Sequence, residues 1–244
     1  MTIRIWHIAI FALALVGSAI ALAPAQLLFR GSEGVLTFQR AEGTIWRSTL
    51  RHVDLGGLDG GDAAVAVSFL GLLQGSLVSE IDFAGADLSG QVRLHAGING
   101  DRRIEAPALT ISGMRAQGFG RVPGTTRLSG IDISFKQKSC VKARGEVESD
   151  VLVRVAEQAG GEAPGLAGAA ACAGQYGRLM LQGDGAGDSA TAWLDLGGDG
   201  TGNWSVTYKT SKPQLVASLI TAGFLPDEQG GAFNSKGVMT WLPY

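Results

Sequence analysis

The sequence predicts a mainly-β protein: an antiparallel, Gly-rich, curved β-sheet or sandwich behind an N-terminal transmembrane helix, with one short helix near the C-terminus. Three observations carry this. Glycine occurs 37 times in 244 residues, about twice the usual share of ~7%, without the G-X-Y period of collagen. Charged residues make up 17% and hydrophobic ones 45%, a balance too apolar for a disordered chain. Apolar residues recur in period two along most of the sequence, the spacing of strands with one buried and one wet face. The net charge of −2 gives no general attraction for nucleic acid.

Residues 5–29 read IWHIAIFALALVGSAIALAPAQLLF, with no charge from Ile8 to Leu28, and about 20 apolar residues suffice to span a bilayer. A single pass with Arg4 inside predicts a cytoplasmic tip and membrane anchor over 1–30 and an exported β-rich domain over 31–244. The rival reading is a cleaved signal peptide, for which Ala23-Pro24-Ala25 offers small residues at a peptidase site. Later apolar runs, Ala63–Leu73 and Leu166–Ala173, are too short to span again.

Past the anchor, Glu42-Gly-Thr-Ile-Trp-Arg-Ser48 places a Trp beside a Gly-Thr pair. Gly43 is expected to make a turn, and Ile45 or Trp46 to start the first strand. Trp46 is not read as a membrane-belt aromatic: it lies so far beyond Phe29 that an extended chain would carry it past the headgroups unless it folds back. Val92, Leu94, Ala96 and Ile98 then alternate with polar partners, as do Ile131, Ile133 and Phe135. Val147, Val151, Val153 and Val155 read as another strand face, and Trp204, Val206 and Tyr208 as a further one. Gly-containing breaks at 97–101, 121–125 and 197–202 separate them, which suits successive hairpins. The sole helix expected after the anchor begins near Pro213, behind Ser211, and ends at Gly223. Residues 156–175 are the least structured by composition.

Few residues invite chemistry. Of the three histidines, His7 lies in the anchor, and His52 and His95 fall on alternating segments where a solvated position is the ordinary reading. No G-x-S-x-G elbow, H-E-x-x-H or paired C-x-x-C occurs, and no cofactor is expected. Asp195–Asn203 resembles a calcium loop but has Val206 where the twelfth-position carboxylate belongs; a Gly/Asp hairpin turn explains the same letters. Cys140 and Cys172 are the only cysteines, and in an exported domain they are expected to join. Catalysis is not expected.

At Glu42-Gly-Thr-Ile-Trp-Arg-Ser48 the chain resembles protein N of the bacterial type II (general) secretion pathway. That family carries a Gly-Thr-Leu-Trp-Ser-Gly-like stretch soon after a single membrane anchor. Ile45 replaces the usual Leu here, and Arg47-Ser48 stands where Ser-Gly is commoner. Leu72-Leu73-Gln-Gly75-Ser-Leu77 and the Cys140–Cys172 interval, with Pro164-Gly-Leu-Ala-Gly168 before the second Cys, extend the likeness. The resemblance implies an inner-membrane protein with a periplasmic β-rich domain, accessory to the secretion machine and bound to its other components. It brings no catalytic residues, so Gly43, Thr44, Ile45 and Trp46 are taken as structural. The strands also resemble, more loosely, periplasmic lipid-handling proteins of the AsmA type, in which Val92, Leu94, Ile131, Ile133 and Phe135 would line an open apolar trough.

Overall fold

The computed structural model describes residues 22–25, 36–55, 57–113, 115–116, 120–121, 123–158, 160–185, 187–221, 224–227 and 232–240. Nearly all strands join one antiparallel sheet whose order follows the chain. From its N-terminal side come β1 (Leu36–Thr37) and β2 (Arg40–Thr44), both paired with β3 (Arg47–Leu55). Next are β4 (Leu58–Val67), β5 (Ser76–Ala84), β6 (Leu88–Gly97) and β7 (Arg102–Ser112). After the small separate hairpin β8 (Arg115–Ala116) and β9 (Gly120–Arg121), the sheet continues with β10 (Thr125–Lys136) and β11 (Ser139–Ser149). It then runs through β12 (Leu166–Ala173), β13 (Tyr176–Gly185), β14 (Asp188–Gly197) and β15 (Thr201–Lys209). The last strand, β17 (Ala232–Thr240), pairs with β15 and carries only β16 (Leu225–Pro226) on its outer side. The sandwich alternative is not realised among the described residues: the strands form one continuous sheet.

Among the described residues three helices interrupt the hairpins: α1 (Phe69–Leu73), α2 (Val151–Gln158) and α3 (Pro213–Thr221). Only α3 was legible in the sequence. The valines at 151, 153 and 155 imitate a strand, yet the chain turns at Ser149-Asp150. The Asp150 carboxylate accepts the Thr125 N–H at 2.5 Å, and its backbone carbonyl accepts Arg154 N–H at 3.0 Å. Val is only a slightly poor helix former, so this local bonding and burial of Ala156 prevail. The stretch 156–175 is also more ordered than its composition suggests. Leu166–Ala173 is a strand paired on both sides, and its small residues permit close approach: a Cβ on Gly168 would collide with the Met180 carbonyl.

The apolar face holds two cores. The smaller contains Ala41, Leu50, Val53, Ala63 and Val65. Leu50 and Val53 share that side because a bulge at His52 (φ 53°) inserts one extra residue between them. The larger core gathers Ile131, Ile133 and Phe135 from β10 with Leu179 and Leu181 from β13, under Ala156 of α2 and Leu215 and Leu219 of α3. Those three β10 residues are 4%, 0% and 1% exposed. They are therefore core rather than the lining of an open trough, while Val92 and Leu94 are half-buried. Ile133 reaches β13 directly because Gly177 is bare there; a Cβ on Gly177 would stand 2.5 Å from Ile133 Cγ2.

Cys140 and Cys172 are joined, with Cα atoms 5.6 Å apart. The bond lies where the β11–β12 ladder has lapsed: paired residues run only from Glu146↔Ala169 to Ser149↔Leu166. Beyond them the disulfide and a 3.0 Å bond from Cys140 N–H to the Gln175 carbonyl hold the two strands together.

On the opposite face a row of directly opposed charges crosses five strands, Glu80↔Arg93↔Glu105↔Asp132↔Arg144. Glu105 and Asp132 would repel, but Arg103 bonds both at 2.7 Å. Asp132 is 4% exposed and also receives Lys142 at 2.6 Å and Arg144 at 3.1 Å. The Arg103 guanidinium foremost, with the Lys142 ammonium, holds its carboxyl well below the usual carboxylate range despite the opposing effect of burial. A lowered folded-state pKa stabilises the fold above the unfolded value of about 3.9 and is lost as pH falls below it. Asp132→Asn should therefore cost about 2–3 kcal/mol at neutral pH, and the gap from wild type should shrink in denaturant titrations below about pH 4. A gap independent of pH would mean that the ion cluster is not its source.

Candidate functional site

Polar constellations in the sheet are satisfied structurally. The Asp199 carboxylate accepts the Thr201 N–H at 3.0 Å and hydroxyl at 2.7 Å, so the calcium-like stretch is a self-bonded hairpin turn. Asp188 is buried and takes the Tyr208 hydroxyl at 3.0 Å and Lys212 at 2.9 Å, tying the start of α3 to β14 and β15. Burial and this carboxylate push the Tyr208 phenol well above its ordinary range. His95 lies 3.4 Å from Glu105 at the edge of the charge row, and His52 occupies its bulge. Among the described residues no group of three His, Cys, Asp or Glu is placed to hold a metal.

Beyond these polar groups, the fold leaves large apolar side chains exposed. The strands alternate in direction, so each connection lies at one of two ends of the sheet. Helices α2 and α3 follow β11 and β15 at one end and pack into the large core. The other end carries tight turns and α1. This helix is inverted. Its one buried residue is Gly71, whose bare Cα lies against β5; a Cβ there would stand 2.9 Å from the Ser76 carbonyl oxygen. Phe69, Leu70, Leu72 and Leu73 are 55%, 69%, 44% and 69% exposed. Ser68 caps α1 by accepting the Gly71 N–H at 3.2 Å, and Ser76 donates to the Gly71 carbonyl at 3.1 Å. The backbone is satisfied while the leucines point outward.

The same end holds Leu77 and Ile98, which are 39% and 84% exposed; Ile98 N–H donates to the Gly75 carbonyl. It also holds the family-like stretch. Gly43 lies within β2 at φ 101°, not in a turn, and Ile45-Trp46 form the turn itself, one residue short of β3. A Cβ on Gly43 would stand 2.4 Å from the Arg47 carbonyl oxygen, which explains the glycine. Thr44 faces Arg47 across the hairpin. Trp46 is half-buried, its ring edge-to-face with Phe69 at 5.2 Å.

The chain does fold back onto this turn. Ile45 N–H donates to the Ala23 carbonyl at 3.0 Å, Pro24 bridges Thr44, and Ala25 is 1% exposed in the smaller core. Leu22, just before, is 74% exposed. Among the described residues, seven of the eleven exposed large apolar side chains, from Leu22 to Ile98, thus lie around α1 at one end of the sheet. Sequence reading missed α1 because Ala63–Leu73 is apolar without a helical period. The Ser68 cap and Gly75 after the helix were the available signals.

Among the described residues no helix is long and apolar enough to cross a membrane; the expected anchor, residues 5–29, lies outside them except for 22–25. Comparison with curated proteins and with solved structures returns no match. The family model described as type II secretion system (T2SS), protein N, matches residues 35–232. That match takes in the Gly43–Trp46 hairpin, the inverted helix, the disulfide and nearly the whole sheet, and the chain accordingly belongs to the protein N family of the type II secretion system.

Proposed function

We propose that this protein is an accessory component of the type II secretion system, held at the bacterial inner membrane by a single N-terminal pass, with its sheet in the periplasm. It acts by binding other secretion components and carries out no reaction of its own. The family match over residues 35–232 carries this reading. The Cys140–Cys172 bond suits an oxidising compartment, and the apolar run Ile5–Leu22, the part of the expected anchor that precedes Ala23–Ala25 on the sheet, suits a span.

The contact surface in this reading is the outer edge of β17. Pairing with β16 involves only Phe233 and Asn234, and among the described residues no strand covers the rest. Unpaired N–H and C=O groups in a row are a template for an added strand. A photo-crosslinking amino acid at the exposed Lys236 should capture another secretion component in cells expressing the whole machine. The same probe at Asp184, exposed on β13, should not. No capture at Lys236, or equal capture at both, would sink the reading.

A further inference from the structure

We infer that the α1 end of the sheet rests in the surface of the lipid bilayer, with Trp46, Phe69 and the exposed leucines of α1 entering the boundary between headgroups and acyl chains. This rests on the proposed N-terminal anchor and goes beyond it, because an anchor alone leaves the position of the domain open.

The first observation is the inversion of α1. Burying a Leu or Phe side chain is strongly favourable, yet this helix buries a glycine and presents its large residues outward. A contiguous exposed apolar patch in a folded domain marks a contact surface. The second observation is charge. From Ala63 to Ser79 the chain carries none, so no ionic group on this segment must be dehydrated as it meets acyl chains. Arg47, exposed beside Trp46, is placed for a lipid phosphate. Trp at the boundary, with one apolar body and one N–H, is the ordinary interfacial residue.

The third observation is where the apolar N-terminal sequence joins the domain. Ala23 is bonded to Ile45, beside the residue that stacks on α1. With Ala23–Ala25 held on the sheet, the apolar sequence left for a span is Ile5–Leu22. Eighteen residues as a helix reach about 27 Å at ~1.5 Å each, against a hydrocarbon core of about 30 Å. No slack remains for a linker, so the end of the sheet bearing the apolar patch is drawn onto the membrane. The bilayer is thus the occupant that the chain itself delivers to this surface.

The test uses the full chain in vesicles of phosphatidylethanolamine and phosphatidylglycerol, with an environment-sensitive fluorophore on one introduced cysteine at a time. The sites are Ala14 in the apolar segment, Leu70 and Leu73 on α1, and Asp184 at the far end of the sheet. Emission at Ala14→Cys, Leu70→Cys and Leu73→Cys should shift to the blue and be quenched by nitroxide-bearing lipids, while Asp184→Cys stays unquenched. Quenching at Ala14 without quenching at Leu70 and Leu73 overturns the inference and leaves the anchor standing. No quenching at Ala14 overturns the anchor, and the inference with it. Shielding at Leu70 that appears only when other secretion components are added would make the patch a protein-docking site and overturn the bilayer as its occupant.

Discussion

Phe135→Ala should lower stability by about 3–5 kcal/mol, the largest loss expected from any single truncation in the sheet. Phe135 is 1% exposed, and with Ile133 it carries the contact between β10 and β13, past the intervening β11 and β12. Removing the ring would leave a cavity walled by rigid strands, which cannot collapse to fill it. Thermal and denaturant unfolding of the detergent-solubilised full chain would measure the loss. Ile133→Val, which keeps the shape and removes one methyl, should cost about 0.5–1.5 kcal/mol. If Phe135→Ala cost no more than Ile133→Val, the β10–β13 contact would not be a principal support of the fold.

Replacing both Cys140 and Cys172 with alanine should cost about 3–4 kcal/mol, from the closure entropy of a loop of this length. The bond spans 32 residues and clips two strands whose ladder has already ended. Loss of the bond should therefore have a local signature as well as a global one. Amides from Cys140 to Gly145 and from Ala170 to Ala173, paired on one side only, should exchange with solvent before those of Glu146–Ser149, which are paired on both. Uniform acceleration along β11 and β12 would show instead that the disulfide acts only on the unfolded chain.

The parts of this fold that were legible are those in which one physical signal acts alone. Alternation placed β6, β10 and β15, because half-buried strands must alternate. The Pro213 start, behind Ser211, gave α3. Val151–Val155 misled because β-branched residues at every second position satisfy a strand pattern, and the deciding bonds come from Thr125, 25 positions away. Ala167–Ala173 looked unstructured because its small residues show no polar–apolar alternation, although strands this close demand them. The apolar end of the sheet was hidden for a related reason. Phe69–Leu73 has the composition of core, and only the placement of Gly71 against β5 shows that its leucines face outward. Ile45 or Trp46 was read as the start of a strand, whereas the two form the turn between β2 and β3, onto which Ala23 returns to bond Ile45.

Because sheet order follows chain order, most strands meet their partner across a single turn; Ala96 pairs with Arg102 and Lys136 with Ser139. Such a protein can be built one hairpin at a time as the chain is released N-terminus first, each newcomer adding to the edge left by its predecessor. Local pairing of this kind keeps contact order low for so large a β-protein and favours fast folding. At every stage before β17, however, the nascent sheet ends in a long bare strand, open to pairing with a neighbouring chain. The partly made molecule is therefore exposed to aggregation throughout its synthesis, and in the finished sheet β16 covers only Phe233 and Asn234 of the last edge.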